Sequence, residues 1–304
     1  VEEFLKKRTK LLVDYSNIMY GIYFLDIQRE EIDIQKQENE NFVRHLFLNK
    51  LMAIKRKLEI HPENIILCVD HKMNWRRKVF PLYKESRARA RRESDIDFDA
   101  FFKLMDDFYH ELVDFFPFIT LRNEYVEADD FIAILTQHYS APERDEPVII
   151  VSTDQDFHQL QKYKNVLYQY DHIKMHQVKI QDPEQDLLMK VLCGDPGDGV
   201  PNILSDDDTF VTDGKRQKPL GEKKAMALIL SGNLEKFLEE NNLVKNYKRN
   251  DRLINFDKIP DEIKRVVHEK LFMYKTKRDR LMLEAYFQKK QLKSMQARIP
   301  EFFK

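Results

Sequence analysis

Three short apolar runs in this chain each end in an aspartate: TKLLVD (Asp14), NIILCVD (Asp70) and PVIIVSTD (Asp154). Apolar runs of this length without polar alternation read as strands buried on both faces, the kind found in parallel sheets sandwiched by helices. The intervals carry helical periodicity over 41–59, over 101–115 (Phe101, Leu104, Met105, Phe108, Leu112, Phe115) and over 129–139. FITLR and VLYQYD (166–171) are two further strands. This alternation predicts an α/β fold, a mostly parallel central sheet with helices on both faces. In open α/β sheets the ligand crevice lies outside the C-terminal strand ends. Three aspartates at three equivalent strand ends therefore predict one shared site.

More acids join them. EADD supplies Glu127, Asp129 and Asp130, Asp156 follows Asp154, and GDPGDG carries Asp195 and Asp198. Each has an ordinary local reading, as a helix cap or a polar turn. Three acids within four positions exceed what a cap needs. Like charges about 4 Å apart repel by ~1 kcal/mol in water and ~4 kcal/mol at an effective dielectric of 20. Convergence would require bound protons or a cation. An oxygen-only ligand set points to Mg2+, with Mn2+ as a substitute, and away from zinc. As a group the acids fit a two-metal site for phosphodiester hydrolysis.

A second constellation follows Asp70 directly. Residues 72–92 hold Lys72, Arg76, Arg77, Lys78, Lys84, Arg87, Arg89, Arg91 and Arg92 against Glu85 alone, with Trp75, Phe80 and Tyr83 interleaved. Arginines suit bidentate phosphate contacts, and aromatics suit stacking on unpaired bases. The other reading is a solvated basic loop or helix face. With 51 basic against 52 acidic residues the formal net charge is −1, so only this local distribution speaks for nucleic acid. Two cysteines, Cys68 and Cys193, form neither a disulfide framework nor a zinc spacing, which suits a reducing cytoplasm. The N-terminus has no apolar core of a secretory signal, and no stretch approaches the ~20 apolar residues that span a bilayer. Beyond about residue 183 only helices are expected: DLLMKVLC, GEKKAMALIL, NLEKFLEE, IKRVVHEKLFMY and DRLMLEAYF. The expected division is thus an α/β domain over 1–182 and a helical lobe over 183–304.

The order Asp14, Asp70, YKESR, EADD, STDQD and GDPGDGVPN resembles the flap endonuclease and 5′-nuclease superfamily, and most of all its T-even bacteriophage ribonuclease H branch. The resemblance runs over nearly the whole chain, including LINFDKIPDEI. EADD followed by a strand ending STDQDF is its specific part. The resemblance implies that Asp14, Asp70, Glu127, Asp129 and Asp154 surround a first Mg2+. Asp156, Asp195 and Asp198, with Asp130 nearby, would serve a second, partly through water. Lys84 and Arg87 would meet the scissile phosphate from a helical arch at about 72–92. Arg76, Arg77, Lys78, Tyr83, Arg89, Arg91 and Arg92 on that arch, and Lys223 and Lys224 in a helix–hairpin–helix-like element, would contact nucleic acid.

The activity implied is a metal-dependent 5′-to-3′ exonuclease and flap endonuclease of replication. It would act as a monomer on RNA–DNA hybrid, 5′-flap and duplex DNA, in the cytoplasm of an infected bacterium. A sliding clamp and a single-strand-binding protein are the partners implied, with RIPEFFK at the C-terminus as a docking tail or as a tail packed on its own lobe. The chain departs from the family where LSDDDTFVTDGKRQKP separates the two halves of the hairpin element, which leaves its monovalent-cation site open. Two alternatives remain at this point, a PIN-type ribonuclease and a non-catalytic DNA-binding replication factor.

Overall fold

A computed structural model describes residues 8–277 and 279–304. Strand β1 (Lys10–Asp14) leads into α1 (Tyr15–Ile22), extended by a wider π turn to Ile27, and then α2 (Gln37–Leu58). β2 (Ile65–Cys68) is followed by the short α3 (Arg76–Val79), α4 (Glu85–Arg92), α5 (Phe98–Phe115) and β3 (Ile119–Leu121). Next come α6 (Ala128–Ser140), β4 (Val148–Val151), a 3-10 segment Gln155–Lys162, β5 (Val166–Asp171) and β6 (His176–Val178). Helices α7 (Pro183–Cys193), α8 (Glu222–Leu230), α9 (Leu234–Glu240), α10 (Val244–Ile254), α11 (Asp261–Met273), α12 (Arg280–Lys289) and α13 (Lys293–Gln296) complete the chain. Among the described residues no helix is long and apolar enough to cross a membrane.

The six strands lie in the order β3-β2-β1-β4-β5-β6. All neighbours are parallel except β5 and β6. The mostly parallel sheet is the one expected; β6 was missed because three exposed or half-exposed residues carry no strand pattern. The connection order reverses at β1, which pairs β2 on one side and β4 on the other. Val13 stands opposite both Leu67 and Val151, so the ends bearing Asp14, Asp70 and Asp154 are adjacent. That is the topological switch point, where a crevice opens by construction.

Side chains of β1 alternate between two cores. Leu11 and Val13 pack with α1, α2 and α5, while Leu12 packs with α6. Burial on both faces explains the unbroken apolar runs. The expected boundary at 182/183 does not follow these cores. Phe256, Ile259, Ile263 and Val267 pack on the α6 face of the sheet, and Leu283, Phe287, Met295 and Phe302 on the opposite face. The part with apolar clusters of its own is smaller, joining Leu192, Ile203, Leu220, Ala225 and Leu238. Helix α10 was not foreseen, since VKNYKRNDRLI is mostly polar and its apolar side is thin, limited to Val244, Tyr247, Leu253 and Ile254. The tail packs on its own chain: Phe302 is fully buried against Phe116, Phe118 and Phe287.

The 204–219 insert is tied down. The Asn202 backbone N–H donates to Gln217 and its side-chain amide to the Lys218 carbonyl. Lys215 pairs with Asp206 and Asp208, and Arg249 with Asp207. The three consecutive aspartates are therefore each matched by a cation of the chain itself.

Candidate active site

Each acid is placed by the element that ends or begins at it. Asp14 closes β1 and caps α1, accepting the Asn17 backbone N–H at 3.0 Å and the Ser152 hydroxyl at 3.1 Å. Asp70, two residues past β2, accepts the Ala128 N–H at 2.8 Å and so pins the start of α6 to the strand end. Glu127 and Asp130 form a reciprocal capping box on α6. Asp154 caps the 3-10 segment by accepting the Asp156 N–H at 2.9 Å. The caps foreseen as the ordinary reading are thus real, and they hold carboxylates at one end of the sheet.

The result is a crowd of like charges. Burial first, then the charges of Asp70 and Asp154, push the Asp14 carboxyl up to about 7. Burial, then Asp154, with smaller contributions from Asp14 and Asp70, hold Asp129 well above the usual range. Burial also raises Asp154; Asp198 and Asp195 add to this, and Lys190 opposes it. A divalent cation would relieve this repulsion, and hard oxygen donors are what Mg2+ and Mn2+ accept. The first group thus has the donor chemistry of a divalent-ion site, though its carboxylates are not drawn as close together as those of the group beside it.

A second group lies beside it. Asp156, Asp195 and Asp198 bring one carboxylate oxygen each within 4.8 Å of one another. The GDPGDG turn makes this possible. Gly194 has φ +73, and a Cβ there would come within 2.4 Å of the Val200 carbonyl. Only glycine meets both demands. The Asp198 N–H donates to Asp195 Oδ1 at 3.0 Å, locking the two acids together. Asp198 is held below the usual range: burial works against this, but Lys84, Arg87 and the Tyr83 hydroxyl at 2.6 Å outweigh it.

The basic stretch is docked at this turn. The Lys84 N–H donates to the Asp198 carbonyl at 2.8 Å, with Lys84 itself left-handed at φ +58. The Lys84 ammonium lies 2.7 Å from Glu127, and Arg87 lies 2.7 Å from Asp198. Burial would lower Lys84, but Asp198 and Glu127 overcome it and keep the ammonium firmly protonated. Both cations thus stand directly over the acids.

Several expected roles change. Arg76 is 2 % exposed and spans Glu127 and Asp130 at 2.8 Å each, so it cannot reach a phosphate. Asp130 is itself fully buried, held also by the Trp75 indole N–H, and has no edge left for a metal. Trp75, Phe80 and Tyr83 are core residues and offer no stacking face. Arg89 pairs with Glu93 and Asp213, while Lys78 lies over the Tyr125 ring at 3.5 Å. Arg91 lies 5.7 Å from the Phe102 ring centroid, and Arg92 and Arg77 pair with Glu85. Helix α4, which carries Arg87, Arg89, Arg91 and Arg92, has no buried residue. Lys223 and Lys224 are exposed on the first turn of α8.

Sequence reasoning missed Lys190, which contacts Asp156 and lies 3.3 Å from Asp195. Its only signal was a cation five residues before Asp195 on an amphipathic helix. It also missed Asn17, whose side-chain oxygen accepts from Thr153 at 3.0 Å and meets His172 at 2.8 Å, fastening the turn after β4 to α1.

Comparison with known proteins places the fold in a family. The family described as 5′-3′ exonuclease, N-terminal resolvase-like domain, matches residues 9–187, and that described as T4 RNase H, C terminal, matches residues 181–302. The ribonuclease H of Enterobacteria phage T4 is 31 % identical over 297 residues, covering 96 % of this chain and 95 % of that protein. The flap endonuclease Xni of Psychromonas ingrahamii is 28 % identical over 166 residues, covering 53 % of this chain and 56 % of its own. Among solved structures, zinc-bound T5 5′-exonuclease superposes with a TM-score of 0.64 at 18 % identity, covering 88 % of this chain and all of that one. A T5 flap endonuclease complex with DNA and metal ions gives 0.63 at 17 % identity, with the same coverage. The acid cluster at the strand ends and both family matches lead to one conclusion: this chain belongs to the 5′-3′ exonuclease family, a group of phosphodiester-cleaving nucleases.

Proposed function

We propose that this protein removes RNA primers from RNA–DNA hybrids and trims 5′ flaps and 5′ DNA ends during replication, using two Mg2+ ions. The observation that carries the reading is the apposition of two carboxylate groups with Lys84 and Arg87. Asp14, Asp70, Glu127, Asp129 and Asp154 would hold one ion, and Asp156, Asp195 and Asp198 the other. The ions would lower the pKa of attacking water and offset charge on the leaving oxygen. The chain's own residues do the rest. Glu127 and Asp198 orient the Lys84 ammonium and the Arg87 guanidinium, which are exchanged onto the scissile phosphate as it enters and stabilise its growing charge. Exposed Arg91 and Arg92 on α4 and Lys223 and Lys224 on α8 would hold backbone phosphates without reading sequence. The phage T4 relative supports an assignment to the cytoplasm of an infected bacterium. A monomer suffices, because one chain supplies every group named. A sliding clamp or single-strand-binding protein would dock elsewhere than on Phe302, which is buried.

Cleavage of 5′-labelled RNA–DNA hybrid and 5′-flap DNA tests the reading. Activity should require Mg2+ or Mn2+ and release short 5′ products. Full cleavage in EDTA, or shortening only from the 3′ end, would overturn it.

A further inference from the structure

The second acid group contains a cation of its own. Lys190 comes from α7. Its ammonium contacts Asp156 and lies 3.3 Å from Asp195. Both residues belong to the three that bring one carboxylate oxygen each within 4.8 Å of one another. The lysine side chain is about one-fifth exposed, so its charge is drawn out of water toward these carboxylates. Asp198, the third acid, is served separately by Arg87 and the Tyr83 hydroxyl. Lys190 is therefore the cation within ion-pair distance of Asp156 and Asp195, while the arch cations pair with Asp198. An ammonium and a divalent ion compete for the same carboxylate oxygens, and a lysine that remains nearby repels any ion that enters.

We propose that Lys190 is a built-in counter-ion that stands in for the second metal, so that this site fills only when the ammonium is displaced. The inference rests on the two-metal reading given above. Its consequence is coupling. A displaced Lys190 needs a new anion, and the substrate phosphate is the anion at hand. By thermodynamic reciprocity, nucleic acid that captures the ammonium strengthens the second ion, and the second ion strengthens nucleic-acid binding. Metal-free and singly loaded protein would then keep an incomplete site until substrate arrives.

Mn2+ binding to the full chain, without nucleic acid, tests this by calorimetry alongside thermal melts. Wild type should bind one ion well and a second weakly. Lys190→Met should bind the second ion at least tenfold more tightly, and Lys190→Arg should behave like wild type. In EDTA Lys190→Met should melt lower than wild type, because two acids lose their partner, yet gain more from Mn2+. If Lys190→Met folds poorly, Lys190→Gln replaces it. A lysine with a merely structural role would lower the melting temperature and leave the isotherm unchanged, and that result would overturn the proposal. A second ion equally tight in all variants overturns it alone. No second ion in any variant overturns both it and the two-metal reading.

Discussion

Asp14 sits between two adjacent strand ends with two other acids nearby, and its carboxyl is pushed up to about 7 from an ordinary 3.8. Between those values the unfolded chain has lost the proton and the folded chain retains it. Stability of the metal-free protein should therefore fall as pH rises through that window, and level off above it. The loss carried by this site is on the order of a few kcal/mol, since each pKa unit is worth about 1.4 kcal/mol. Asp14→Asn removes the titrating group while keeping its shape. Denaturant melts in EDTA at pH 5 and pH 8 should show a smaller difference for the variant than for wild type, and millimolar Mg2+ should reduce the wild-type difference. Equal pH slopes in both proteins would mean that Asp14 stores no repulsion. Most of the acids were legible in the sequence because Asp14, Asp70 and Asp154 follow recognisable strands and Glu127 and Asp129 open a helix. Which of them keep a free oxygen was not legible. Asp130 differs from Asp129 only in facing inward, where Trp75 and Arg76 occupy it.

The stretch 72–92 shows what local pattern hides at the scale of an element. Its charges and aromatics suggested one continuous arm, but α3 and α4 have opposite surroundings. Phe80 and Tyr83 pack with Val191, Val200, Leu253 and Ile254, residues more than a hundred positions away. Arg76 is sealed with them, whereas α4 has no buried residue. The two halves should therefore respond differently to mutation. Arg76→Ala leaves Asp130 as a buried charge without its counter-ion and takes one of two cations from Glu127, and should cost about 3–5 kcal/mol in urea unfolding. The double change Arg91→Ala with Arg92→Ala should stay within about 0.5 kcal/mol of wild type. It should weaken duplex binding and reduce the salt slope by about two, the loss of two phosphate contacts. A stable Arg76→Ala protein with weak binding would reverse this assignment of the two halves.

At the scale of the molecule, the mostly parallel sheet follows from the apolar runs, but its strand order and the closure of its faces do not. Helices α11 and α12 look like further members of a C-terminal lobe when read one by one. Their apolar residues instead lie on opposite faces of the sheet, with Ile263 and Val267 on one and Leu283 and Phe287 on the other. Periodicity reveals that a helix has an apolar side and says nothing of which distant surface it covers. The tail tests this architecture. A docking tail predicts that Phe302→Ala leaves stability unchanged. Here Phe302 is fully buried among Phe116, Phe118 and Phe287, so truncation removes a large side chain and leaves a cavity. The cost should be about 3–5 kcal/mol. Because Phe116 and Phe118 flank the end of α5 and the start of β3, the loss should appear in the main unfolding transition and not as a separate early melting of the C-terminus. Calorimetry of Phe302→Ala should therefore show one transition shifted down. Two transitions, with the nuclease part unmoved, would mean that the C-terminal helices form an independent lobe after all.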